Sequence, residues 1–140
     1  MSQSSDAPSS LKARVLTHYL LMFFHHAVHD SIAEAVVTFL EPRLQIVRPT
    51  HSETLVAIIL LYRLHRSNKG CRTLSNPQIL AITAFYLSLK YCRDDCDVHR
   101  LECPEIRAEL KRAEHDFLHC IDHRLYISME EYRLALREHL

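Results

Sequence analysis

The stretch from Asn76 to Asp95, NPQILAITAFYLSLKYCRDD, constrains this chain more than any other part of it. Between Ile79 and Leu89 nearly every residue is apolar, and no Gly or Pro follows Pro77. A helix over that span is hydrophobic around most of its circumference and belongs in the middle of a bundle. Asn76 is the expected N-cap, with Pro77 at the first helical position, where its missing N–H costs no intrahelical bond. The far end turns abruptly polar at Lys90, Arg93, Asp94 and Asp95, so the buried helix surfaces with charges at its C-terminal tip.

The rest of the chain supplies partners for that helix. Thr50 followed by Glu53 reads as a capping box, and it opens a helix to about Ser67 whose block LVAIILLY is also apolar nearly all round. The turn-like segment from Asn68 to Ser75 makes these two helices an antiparallel pair. Earlier, Val15, Leu16, Tyr19, Leu20, Met22, Phe23 and Ala27 recur at helical spacing and predict a helix from Leu11 to about His29. Asp30 or Ser31 caps a second, carrying Ile32, Ala35, Val36, Phe39 and Leu40, which Pro42 is expected to interrupt or kink. After an irregular stretch, Pro104 opens a long helix with Ile106, Leu110, Ala113, Phe117, Leu118 and Ile121 on one face. Ser128 and Glu131 form a second expected box, at the start of a last short helix. The reading is all-α: one domain over residues 11–140, behind a Ser-rich, disordered tail at residues 1–10.

Composition narrows the function classes. With 17 Lys and Arg against 17 Asp and Glu there is no whole-protein field to attract nucleic acid or an anionic membrane. The longest apolar run, Leu55 to Tyr62, is far below the roughly 20 residues that span a bilayer, and the polar N-terminus has no signal-peptide pattern. Five cysteines are an odd number. Free thiols in a reducing, intracellular compartment are therefore expected, in the nucleus or cytoplasm. No glycine loop for phosphate and no nucleophile elbow is present, so no enzyme activity and no cofactor are assigned.

Two tracts carry a resemblance. AFYLSLKYCRDD, from Ala84, and AEHDFLHCIDHRLYISMEEY, ending at Tyr132, together resemble a cyclin box. They are most similar to the short single-box cyclins of the yeast phosphate-response class and their plant and protozoan relatives. In that family a buried third helix ends in Lys-Tyr or Lys-Phe before an acidic pair. The fifth helix reads Glu, two residues, Phe-Leu and a Leu/Ile-Asp pair, and a Ser-x-Glu-Glu-aromatic motif closes the box. The resemblance implies a five-helix cyclin box with an added N-terminal helix. It also implies a non-catalytic subunit that binds and activates a cyclin-dependent protein kinase, with Lys90 and Glu114 as the central polar contacts. Ile82, Tyr86, Tyr91, Leu110 and Phe117 are the apolar candidates around them. The segment CDVHRLECPEI is shorter than its family counterpart. The Met-Arg-x-x-Leu-x-x-Trp type of motif is missing, so no substrate-docking patch is assigned. No second box follows, and no obligate homo-oligomer is expected.

Other constellations compete with that reading. Cys92, Cys96, His99 and Cys103 form a legitimate tetrahedral zinc set by residue type, but their spacing fits neither a knuckle nor a finger. The plainer reading is reduced loop thiols, with no metal. His25, His26 and His29 include an i, i+4 pair without a metalloprotease acid, and read as solvated or core-edge residues. Cys120 reads as a small hydrophobe. The cluster Arg63, His65, Arg66 and Lys69 is explained by helix-end cations complementing a dipole. A cyclin-fold adaptor that binds nucleic acid or a transcription complex without activating a kinase would use that cluster instead.

Overall fold

The computed structural model describes residues 9–24, 30–67, 76–93 and 105–139, and among them the chain is all-helical. Its elements are α1 (Ser9–Phe24), α2 (Asp30–Val47), α3 (His51–Arg66), α4 (Pro77–Cys92), α5 (Arg107–Cys120) and α6 (Met129–His139). None of these helices is long and apolar enough to cross a membrane.

α4 occupies the position its sequence demands. Asn76 Oδ1 accepts from Gln78 N at 2.9 Å, Pro77 sits at the helix start, and every residue from Ile79 to Leu89 is buried. The two hydroxyls in that run are satisfied within the core: Thr83 Oγ1 donates to Ile79 O at 2.6 Å, and Ser88 Oγ donates to Glu53 O. Buried hydroxyls persist only when bonded in this way. The second of these bonds joins the end of α4 to the start of α3, which fixes the two helices as antiparallel neighbours. α1 packs on α2 and α3, and α5 closes the other side of α4. Leu16, Leu20, Leu40, Leu44, Leu60, Phe85, Leu110 and Phe117 are all fully buried in one cluster.

The ends of the elements explain the connections. Thr50 and Glu53 make the expected reciprocal box, with Thr50 N donating to Glu53 Oε1 at 2.8 Å and Glu53 N to Thr50 Oγ1 at 3.1 Å. The carbonyls leaving α2 meet cations, as a helix C-terminus favours. Arg93 donates to Val47 O and Arg48 O, and the buried Lys12 ammonium donates to Pro49 O. Arg48 takes a left-handed φ of 47° and Pro49 follows, which stops α2.

Three boundaries differ from the sequence reading. α2 runs through Pro42 to Val47; the Arg43 guanidinium donates to Phe39 O at 2.7 Å, supplying a partner in the turn that the proline disturbs. α5 begins at Arg107 with Ile106 in the cap position and no side-chain cap bond, while Pro104 lies outside the described residues. α1 already includes Ser9 and Ser10, two residues of the expected tail, and residues 1–8 lie outside the description. Its expected extension over His25, His26 and His29 also falls outside it.

Candidate functional site

α4 leaves the core at Lys90, and α5 passes beside that tip. Lys90 Nζ meets Glu114 Oε2 at 2.7 Å, joining residues that lie 24 apart in the chain. Their side chains are 42% and 17% exposed, so the pair lies at the surface with its acid the more enclosed. One helical turn back, the Tyr86 ring lies under the ammonium, with its centroid 5.0 Å from Nζ. An ammonium over a ring face at that range is attracted by the ring quadrupole. Lys90 is thus held from two sides. In solvent such a pair contributes only about 0.2–1 kcal/mol to stability, so its effect is to fix where two charges stand.

The apolar candidates divide sharply. Leu110, Phe117 and Ile82 are fully buried, and Tyr86 is 3% exposed. Some of these candidates are expected to be core, and Leu110 and Phe117 are such residues: both lie in the main cluster with Ile82, which withdraws them from an outward binding face. Tyr86 acts as the platform for Lys90. Tyr91 alone among the apolar candidates is outward, and its Oη accepts from Ile127 N at 3.3 Å. That bond brings the connection between α5 and α6 beside the tip of α4.

Sequence reasoning missed residues on that connection. α5 ends in a Schellman arrangement, with His123 N donating to Leu118 O at 2.7 Å and Asp122 N to His119 O at 3.1 Å. Asp122 and His123 take φ values of 56° and 58°, so the motif is built without glycine. The chain then runs non-helically through Tyr126, whose neighbours Leu125 and Ile127 pack on the core while Tyr126 is 74% exposed. Met129 follows, also exposed. Leu118, one turn beyond Glu114, is half-buried and adds apolar surface next to the charge pair. Its i+4 spacing from Glu114 was a usable signal. For Tyr126 there was none, because its direction depends on the turn at Asp122 and His123.

The remaining candidates fare differently. Cys92 is an exposed free thiol; Cys96, His99 and Cys103 lie outside the described residues. Among the described residues no group of His, Cys, Asp and Glu is arranged to hold a metal. Partial burial, reinforced by the Glu53 carboxylate, pushes the Cys92 thiol pKa up, against a hydrogen bond with Ser88 and the charge of Arg93. Cys120 is buried as expected, but it is disulfide-bonded rather than a free thiol.

Arg63 is not merely a dipole cation, because its guanidinium reaches Glu131 and two carbonyls of the α5–α6 connection. Glu131 N donates to Ser128 Oγ at 3.0 Å, which makes the expected cap, while the Glu131 carboxylate bonds Arg63. Arg63, Arg66 and Arg124 line a cleft of about 420 Å³ together with Asp122 and Glu131, so its wall carries both signs. Lys69 lies outside the described residues.

No protein-family model, curated protein or solved structure matches the chain.

Proposed function

We propose that this chain is a non-catalytic regulatory subunit, a single cyclin box with an added N-terminal helix, that binds and activates a cyclin-dependent protein kinase. In this reading α4 is the third helix of the box and α5 the fifth. One observation carries the proposal. The lysine and glutamate that the motif resemblance singles out stand together at the surface, 2.7 Å apart, on the tip of a buried helix and its neighbour. Rigid, fixed charges of that kind set register and choose partners more than they supply affinity.

Affinity has to come from elsewhere. Moving a kinase from about 1% to about 99% active requires the subunit to favour the active form by about 5.5 kcal/mol. A surface ion pair falls well short of that. Tyr91 next to Lys90, Leu118 one turn from Glu114, and Tyr126 and Met129 on the strip whose Ile127 N bonds Tyr91 are the exposed or partly exposed apolar surface available to contribute the difference. By analogy with the family, this face presses on the regulatory helix of the kinase and selects its active arrangement, while the kinase supplies the chemistry.

The test is affinity capture from matched cell extract with wild type and Glu114→Lys, followed by mass spectrometry and a kinase assay of the bound fraction. A cyclin-dependent kinase captured by wild type and lost with the variant supports the reading. Retention of the kinase by Glu114→Lys removes the assigned face. If a folded bait captures no kinase but binds nucleic acid in a salt-dependent way, the adaptor reading replaces this one.

A further inference from the structure

The Arg63 guanidinium makes more long-range polar contacts than its place near the end of α3 requires. Its Nε and Nη2 reach the two carboxylate oxygens of Glu131 at 3.3 and 2.6 Å. Nη2 also donates to Tyr126 O at 2.7 Å, and Nη1 donates to Arg124 O. Its partners lie 61 to 68 residues away in sequence, all on the connection into α6 or on the first turn of that helix. The side chain is 19% exposed, so these bonds are formed in a partly desolvated setting, where charge-assisted contacts are strong.

Among the described residues, the other anchors of the segment each hold a single point. Leu125 and Ile127 pack at the edge of the main core, and α6 rests on a small separate cluster of Leu55, Ile59 and Ala135. The Tyr91 hydroxyl takes Ile127 N from the opposite side, and Tyr132 Oη bonds Ser52 Oγ at 2.7 Å. Arg63 is the only one of these contacts that spans the segment from Arg124 to Glu131 with a single rigid group. A lysine could not replace it, because an ammonium has no planar fork to meet a carboxylate and two carbonyls at fixed angles.

We infer that Arg63 is a positioning residue for the partner-binding face: by bonding Arg124 O, Tyr126 O and Glu131, it fixes the strip that carries the exposed Tyr126 and whose Ile127 N is bonded to Tyr91 Oη. The inference rests on the kinase-binding reading above. Arg63 bonds the backbone carbonyl of Tyr126, which Tyr126→Ala retains, so the two side chains can be changed separately.

The experiment combines hydrogen exchange with a double-mutant cycle, using purified cyclin-dependent kinases tested singly. Arg63→Lys should speed exchange over residues 124–131 while leaving α4 protected, with overall helicity retained. Glu131→Gln loosens the same clamp from its other end and substitutes if Arg63→Lys fails to fold. Arg63→Lys and Tyr126→Ala should each weaken kinase binding about tenfold, and together by far less than the hundredfold that independent effects give. A purely structural role for Arg63 would not produce that coupling. Unchanged exchange over 124–131 overturns the inference, as does full additivity. Loss of binding with Glu114→Lys but not with Arg63→Lys overturns it while leaving the kinase reading intact. If wild type binds no kinase, both fall together.

Discussion

Arg93 and Glu53 show how much one residue can carry here. Glu53 is 5% exposed, yet it completes the α3 capping box and accepts two bonds of 2.7 Å from the Arg93 guanidinium. Arg93 also binds the last carbonyl of α2 and that of Arg48 just beyond it, so three helices meet on one side chain. Arg93→Ala leaves a buried carboxylate without its cation and should lower stability in urea unfolding by about 3–5 kcal/mol. By contrast, the Arg14–Glu34 bridge is exposed, with each group's pKa moved by the other toward its charged form. Arg14→Ala should leave the urea midpoint nearly unchanged. Cys92 offers a chemical test. Its raised pKa means less thiolate near pH 8 than in the unfolded chain, so iodoacetamide should label it more slowly when folded, with the gap narrowing as pH rises. Equal or faster labelling of the folded protein at pH 8 would contradict the burial and carboxylate effects. Residue identities at Thr50 and Asn76 carried their capping roles openly. Arg93 did not, because a C-terminal arginine looks alike whether it faces solvent or crosses to another helix.

At the level of elements, α4 is the clearest case of sequence dictating structure. A helix apolar on all sides has one stable place, and burial from Ile79 through Leu89 follows. Ala84→Asp puts an unpaired charge at a fully buried position and should abolish cooperative unfolding and much of the helicity seen by circular dichroism. A folded, soluble variant would contradict the central position of α4. α3 was equally legible, through its capping box and apolar block. The α2 boundary was not, because Pro42 is a helix breaker by intrinsic preference and only the tertiary structure shows the helix continuing with Arg43 bonded to Phe39 O. The end of α5 was hidden for a related reason. A left-handed turn without glycine leaves no compositional mark, and Asp122 and His123 would not have been chosen for it.

For the whole molecule, the important consequence is that surface chemistry concentrates where the buried helix emerges. The tip of α4, the outer side of α5 and the strip leading to α6 converge around Lys90, Glu114 and Tyr91. The two charges were visible in the sequence as a motif, and the core as apolar periodicity. What periodicity could not do was divide Tyr91 from Leu110 and Phe117, since all three are apolar residues on helices and only packing decides which one faces out. The charge pair also gives a control that separates folding from recognition. Exchanging its signs, with Lys90→Glu and Glu114→Lys together, keeps an ion pair within the protein but reverses what a partner meets. The most direct measurement is therefore the activity of a purified cyclin-dependent kinase titrated with wild type, Glu114→Lys and the sign-exchanged double variant. Wild type should activate the kinase, Glu114→Lys should lose at least tenfold in apparent affinity, and the double variant should show no recovery although it folds like wild type. Equal activation by all three would show that this face does not meet the kinase, and activation by none would contradict the regulatory-subunit proposal itself.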